Sequence, residues 1–331
     1  DKVKWDKMGE NDINTQGCIS FQGDKEGHCI LAVKAYDQLG NNRIYCSNGM
    51  VLEDNKPVVY IKDSIPDFYN IKDKGTDITY NVVIADVVKG ETPETISSGI
   101  KCLKYRVYKK DNGKEVILQE QKITNLSKKE YSWDDLNIEN DVNYVKMETE
   151  CHFHVTDEYD SNFVYFEAIA VDNAGNERPF EQQLKFDFTL PDIDVEFAQG
   201  EGTEVYKYPD GPEYYDGECI AEVTFSDLNL LKENKKDRLK IYVQTGDEEG
   251  PGEFDLLNQD DINKLKESGI RAEEVVSEMD KDNMAAETQI TERKFRFVFE
   301  GDGHFKNIKF EAADEAGNIN DKNLERDFVI D

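Results

Sequence analysis

The chain has 331 residues, 40 of them basic and 71 acidic, for a formal net charge of −31. Hydrophobic residues make up 38%, with 17 Phe and 16 Tyr, so there is material for folded cores and the charge does not mark a disordered acidic tail. A surface this negative repels phosphate backbones and anionic lipid, which argues against nucleic acid and membrane docking, and no run approaches the roughly 18 apolar residues of a membrane span.

Asp1-Lys2-Val3-Lys4-Trp5 carries no initiator Met and no charged-then-apolar leader; a secretory signal would have to lie upstream, so its absence here says nothing about the compartment. The first periodic segment has Leu31, Val33 and Ala35 on one face and polar Lys34 on the other, the period-two pattern of a half-buried strand. It runs into Asp37-Gln38-Leu39-Gly40-Asn41, a turn in which the Asp side chain accepts backbone N–H groups and Gly supplies positive φ. An extended run follows to Pro57, a residue suited to an edge or a junction because it has no ladder donor. Ile78, Tyr80, Val82 and Ile84 alternate up to Asp86. Further strands are predicted at Lys101–Lys110, Val116–Ile123 and Val145–Val155. Phe166, Ala168 and Ala170 then lead into Asp172-Asn173-Ala174-Gly175-Asn176, with Pro191 beyond. Cys219, Ala221, Val223 and Phe225 alternate up to Asp227, and strands are predicted at Lys240–Gln244 and Lys294–Phe299. Asn258 to Gly269, with an N-cap residue, early acids, later lysines and a terminal Gly, predicts a short helix, and Ala272–Met279 a second helical turn. Ile308, Phe310 and Ala312 lead into the last turn, Asp314-Glu315-Ala316-Gly317-Asn318.

The segment Ala-x-Asp-x-x-Gly-Asn therefore occurs three times, from Ala35, Ala170 and Ala312, with its Asp residues 135 and 142 apart. Asp86 and Asp227 stand 86 and 87 residues before the later two, a second anchor at nearly constant distance. The spacing predicts three units: 1–55, the C-terminal part of a truncated domain; 56–189; and 190–331, the last with a helical insertion at about 246–283. A third proline would fall near position 333, so the C-terminus reads as a cut at a domain junction. About seven short strands per unit predict an all-β fold of tandem β-sandwiches.

These residues resemble bacterial Ig-like domains, which occur in tandem in Gram-positive surface proteins and adhesins. The resemblance rests on the thrice-repeated Ala-x-Asp-x-x-Gly-Asn, on Ser98-Gly99-Ile100-Lys101 followed by Leu103-Lys104-Tyr105-Arg106-Val107, and on Asp86 and Asp227 after alternating strands. It covers nearly the whole chain and implies tandem Ig-like sandwiches in an extracellular protein, attached to the cell surface or secreted. The units are longer than the ~100 residues of a compact Ig domain, and the helical insertion is not part of the common pattern.

Six cysteines are spread three, two and one over the three units, which is not a repeated disulfide framework. Cys102 with Cys151 is the first candidate for an intradomain bridge, and Cys18 or Cys29 with Cys46 the next; Cys29 and Cys219 also fit as buried thiols. His152-Phe153-His154 puts two imidazoles on one strand face, a metal spacing with no third ligand in view, or two exposed residues flanking a buried Phe. Calcium is the metal the composition suits. Asp37, Asp172 and Asp314 recur at one domain end and could supply hard oxygen ligands, or they simply cap their own turns; Glu278–Asn283 is another acidic cluster. No nucleophile elbow, P-loop or Gly-x-Gly-x-x-Gly occurs, so no enzyme activity is expected.

The expected function is a non-catalytic extracellular binding module of a surface adhesin, recognising a host protein (immunoglobulins or other mucosal glycoproteins) or a glycan. Its contact would be the helix face of Ile262, Leu265 and Ile270, unless the helix docks on its own sheet; Tyr206, Tyr208, Tyr214 and Tyr215 could stack on sugars, or pack at a sheet edge. A structural stalk presenting another domain, and an accessory region of a large secreted enzyme, are the competing readings.

Overall fold

The computed structural model describes residues 27–54, 56–89, 98–128, 142–209, 211–231, 238–246, 249–275 and 290–331. The chain is all-β. Four short strands open it: β1 (Gly27–Cys29) pairs β4 (Met50–Leu52), and β2 (Ala32–Tyr36) pairs β3 (Asn42–Cys46).

Eight strands make the first sandwich: β5 (Val58–Ile61), β6 (Asp77–Lys89), β7 (Ile100–Asp111), β8 (Lys114–Ile123), β9 (Ser127–Lys128), β10 (Val142–His154), β11 (Ser161–Asp172) and β12 (Glu177–Phe186). They form two four-stranded sheets, ordered β5-β6-β10-β9 and β12-β11-β7-β8. Alternation aims Tyr80, Val82 and Ile84 of β6 and Phe153 of β10 at Leu103, Tyr105 and Val107 of β7 and Phe166, Ala168 and Ala170 of β11, and all of these are buried in one core. The edge strand β5 starts directly after Pro57, where a missing N–H costs no ladder bond.

The second sandwich repeats the plan. Its strands are β13 (Asp192–Gln199), β14 (Glu204–Lys207), β15 (Glu213–Asp216), β16 (Cys219–Leu231), β17 (Leu239–Thr245), β18 (Gly252–Asp255), β19 (Ile270–Glu274), β20 (Ile290–Phe299), β21 (Gly303–Ala313), β22 (Ile319–Leu324) and β23 (Phe328–Ile330), with helix α1 (Gln259–Glu267) between β18 and β19. One sheet runs β13-β16-β20-β19; the other runs β14-β15-β23-β21-β17-β18, with β22 also on β21. Their shared core is aromatic: Phe225, Phe295, Phe297, Phe299, Phe305, Phe310 and Phe328 are all buried.

Three expectations are corrected here. The helical insertion is narrower than 246–283, and the described part of that region includes sandwich strand on both sides of the helix. That part holds β18, an edge strand of one sheet, and β19, an edge strand of the other, joined by α1. The first sandwich makes the same change of sheet from β8 to β9, so the helix replaces a shorter connection within a common plan. Within the second helical turn expected at Ala272–Met279, residues through Glu274 are strand, with Ala272 opposite Phe297; 276–279 lie outside the described residues. α1 itself is capped by the Asn258 side chain, which accepts from Asp260 N at 3.1 Å, and Gly269 follows it at φ +83°.

The third correction concerns the cysteines. Cys102 and Cys151 are both buried free thiols. Cys151 points into the core, whereas Cys102 alternates with the inward Leu103 and Tyr105 and so lies on the other face of its sheet. Burial pushes the Cys151 thiol up to about 12. Cys219 is a buried core thiol, and Cys46 is an exposed free thiol, so the bridge expected from Cys18 or Cys29 to Cys46 is not formed.

Candidate functional site: two three-carboxylate groups

The repeated turn forms as its residues dictate. Asp172 Oδ1 accepts the backbone N–H groups of Gly175 and Asn176 at 2.6 and 2.8 Å, and Asn176 Nδ2 donates to Asp172 Oδ2 at 2.8 Å. Asp314 accepts from Asn318 N and Nδ2, both at 2.9 Å. Asp37 accepts from Leu39 N, Asn41 N and Asn41 Nδ2 at 2.8–2.9 Å. The glycines Gly40, Gly175 and Gly317 have φ between +84° and +96°, a conformation in which a Cβ would be strained.

The turn Asn does a second job. Its Nδ2 also donates to a main-chain carbonyl of the segment entering the sandwich: Asn176 to Glu53 O at 3.1 Å, and Asn318 to Asp187 O at 2.9 Å. The entering residue is acidic in both cases. A third acid comes from the long strand of the facing sheet. Asp86 continues the inward register of Tyr80, Val82 and Ile84, and Asp227 that of Ala221, Val223 and Phe225. Asp172 and Asp314 likewise continue the inward registers of β11 and β21. Two inward-facing acids from facing sheets and one acid from the entering segment meet at one end of each sandwich. Ligand oxygens of Glu53, Asp86 and Asp172 lie within 4.8 Å of one another, and so do those of Asp187, Asp227 and Asp314.

Asp86, Asp172 and Asp314 are fully buried and Asp187 is 2% exposed. Ser98 N donates to Glu53 Oε2 and Gly99 N to Asp86 Oδ2, both at 2.7 Å. In the second group Asn229 N and Thr189 Oγ1 donate to Asp227. Thr189 Oγ1 also donates to Asp187 Oδ1 at 2.7 Å, and Asn229 Nδ2 to Asp187 Oδ2 at 2.5 Å. This group joins the two sandwiches. Ile71 N and Asn70 Nδ2, from the loop before β6, donate to Asn318 Oδ1 and Ala316 O, and Asn162 Nδ2 of β11 donates to Asn229 Oδ1.

Burial is the first cause that pushes Asp314 up to about 6, with the carboxylates of Asp187 and Asp227 adding to it. Burial likewise raises Asp227 and Glu53, the latter helped by Asp86 and Asp172. The hydrogen bonds to these carboxylates offset part of this cost, and a positive ion or a proton would relieve the rest. Oxygen-only donors at this spacing suit a hard cation of the calcium type. The sign of the pH effect follows. The cation-free folded state binds more protons than the unfolded chain between about pH 4 and about pH 6, so the stability contributed by protonated Asp314 is full below that window and lost as pH rises through about 6. Melting in EDTA is therefore expected to fall between pH 4 and 7 on account of this group, and calcium to flatten the decline.

The other residues singled out in the sequence are placed as follows. Asp37 is exposed, belongs to no three-carboxylate group among the described residues, and is held below the usual carboxylate range by its Asn41 side-chain contact first. Leu265 and Ile270 are fully buried in the second core and Ile262 packs against it, so the apolar helix face docks on its own sheets and offers no anchors. Tyr215 is buried against Phe328, while Tyr214 is exposed. His152 and His154 lie exposed on β10, bonded to Thr79 and Asp77. Glu278–Asn283 lies outside the described residues. Sequence reading missed Glu53 and Asp187 altogether, and singled out Asp86 and Asp227 without seeing them as ligands; the available signal was an acid at the next inward position of an alternating strand.

No protein-family model matches the chain, and no relative is found among curated proteins. Among solved structures, the chain is similar to one from a 1.5-MDa bacterial ice-binding adhesin, with 11% identity, 91% of this chain and 74% of that chain covered, and a TM-score of 0.34. It is also similar to the Ca2+-stabilized ice-binding adhesin of an Antarctic bacterium, with 11% identity, 91% and 56% covered, and a TM-score of 0.28. Escherichia coli alpha-2-macroglobulin follows at 8% identity, 90% and 24% covered, and a TM-score of 0.28. Likeness this loose carries no function across. No helix among the described residues is long and apolar enough to cross a membrane.

Proposed function

We propose that the chain is a non-catalytic, extracellular, adhesion-type segment whose serial β-sandwiches are fastened to what precedes them by calcium. The observation that carries this reading is the recurrence of the same three-acid arrangement. Each time, one acid arrives on the entering segment, one on the first long strand and one on the Asp-x-x-Gly-Asn turn. An ion bound there would tie the entering segment to both sheets at once. Millimolar extracellular calcium is enough to fill sites of modest affinity.

Within this reading the two sandwiches serve as a spacer that sets distance and orientation. The burial of Leu265 and Ile270, and the shared plan of the β18-α1-β19 region, remove the ground for placing recognition on the helix. A host protein or glycan remains the kind of target such a segment would reach or present a partner to. Small-angle scattering tests the spacer reading. The pair-distance distribution is expected to sharpen on adding calcium and to broaden in EDTA. Identical curves from protein shown to have bound calcium would remove the stiffening role.

A further inference from the structure

The outer sheet faces of both sandwiches repeat one small device, a tyrosine whose hydroxyl meets a glutamate while a cation lies over its ring. On β7, Tyr108 donates to Glu181, with Arg106 over its ring at 4.6 Å and Lys110 3.9 Å from Glu181. On β17, Tyr242 donates to Glu311 at 3.4 Å, with Lys309 over its ring at 4.0 Å and 3.2 Å from Glu311.

The β14–β15 ribbon has the same device without the cation. On its outer face Tyr206 donates to Glu204 at 2.5 Å, and Tyr206 pairs across the ribbon with Tyr214. Tyr208 meets Tyr214 edge to face at 5.4 Å. The three rings are 48%, 61% and 36% exposed, so they do not serve the core, which the ribbon reaches instead through Val205 and Tyr215. Next to them Glu204 stands directly opposite Asp216, a like-charge pair that costs stability in a ladder. The ribbon's lysine, Lys207, pairs with Glu213. Among the described residues no lysine or arginine lies over Tyr206, Tyr208 or Tyr214.

We propose that this face, Tyr206, Tyr208 and Tyr214 with Glu204 and Asp216, binds arginine or lysine side chains of a partner protein. The partner's cation would take the place that Arg106 and Lys309 fill elsewhere in the chain, stacking on a ring and relieving the opposed carboxylates. Charge complementarity favours this occupant on a chain of net −31.

The test is calorimetric titration at physiological salt and calcium with the hexapeptide Ac-Arg-Gly-Arg-Gly-Arg-Gly-NH2, its Gln-for-Arg counterpart, and neutral cellohexaose. The Arg peptide is expected to bind, and the Gln peptide and the sugar not. Tyr206→Ser/Tyr214→Ser and Glu204→Gln/Asp216→Asn should each weaken binding about tenfold, roughly two exposed cation–π contacts. Tyr206→Phe/Tyr214→Phe, which keeps the rings, should retain most of it. Melting should change little in the tyrosine variants, whose rings are exposed, and hold or rise in Glu204→Gln/Asp216→Asn, which removes the opposed like charges, so loss of binding is separated from loss of fold. Absence of Arg-peptide binding, binding indifferent to both Ser and Gln/Asn variants, or cellohexaose binding that the Ser variant abolishes would each overturn the proposal.

Discussion

Asp227→Asn is expected to lower the melting temperature in calcium and to leave it equal or higher in EDTA. A site occupied at a hundred times its dissociation constant contributes about 2.7 kcal/mol, which for a sandwich of this size corresponds to roughly 5–10 °C. The native chain should show that rise on adding calcium, and the variant should lose the share from its own junction. The reversal in EDTA follows from the geometry. With no ion present, three carboxylates converge within 4.8 Å, and neutralising one relieves the others. Asp227 is the informative position because it is not the turn residue: its acceptor contacts, Asn229 N and Thr189 Oγ1, are of a kind that an asparagine oxygen can also serve. Asp86→Asn makes the same comparison at the other group. A drop of equal size with and without calcium would mean that the acid only caps its local backbone. Thermal melts of both variants in both buffers decide between these outcomes.

Phe297→Ala is expected to cost about 3–5 kcal/mol, the range for an aromatic ring removed from a packed core. Phe297 is fully buried on β20, with its ring 5.2 Å from Phe310 of the facing sheet and 6.3 Å from Phe295. It therefore sits where the two sheets hold each other, and neighbouring rings that also pack on Phe225 have little freedom to close the cavity. The two cores share no residue, so the loss should fall on the second sandwich alone. Urea unfolding checks this. The midpoint of the affected transition should drop without a change in its slope, while the first sandwich keeps its own transition. A cost below about 1 kcal/mol would show a core loose enough to refill the site, contrary to the packing described here.

Much of this architecture is legible in the sequence, for local reasons. Alternation in Tyr80–Ile84 and Ala221–Phe225 marks strands buried on one face, and Asp-x-x-Gly-Asn marks its turn because the Asp, the Gly and the Asn act within five residues. The carboxylate groups were half legible on the same grounds. Asp172 and Asp314 belong to the turns, but Glu53 and Asp187 reach the groups only because Asn176 and Asn318 hold the entering backbone from more than a hundred residues away. No local pattern encodes that contact. The errors share this cause. Leu265 and Ile270 are apolar on a short helix whether they face a partner or their own sheets, and only the tertiary fold decides. Ala272 reads as helix by propensity and becomes strand because β20 offers it a ladder. Cys102 and Cys151 are separated by the pleat of their strands, and pleat direction relative to the core is again a property of the assembled sheets.

The central claim is that the two three-carboxylate groups are calcium sites, and a calorimetric calcium titration of the whole chain tests it most directly. Uptake at two sites is expected, falling to one in Asp86→Asn or Asp227→Asn and to none in the double variant. A folded chain that takes up no calcium at millimolar concentration, or uptake that the double variant leaves unchanged, would contradict it.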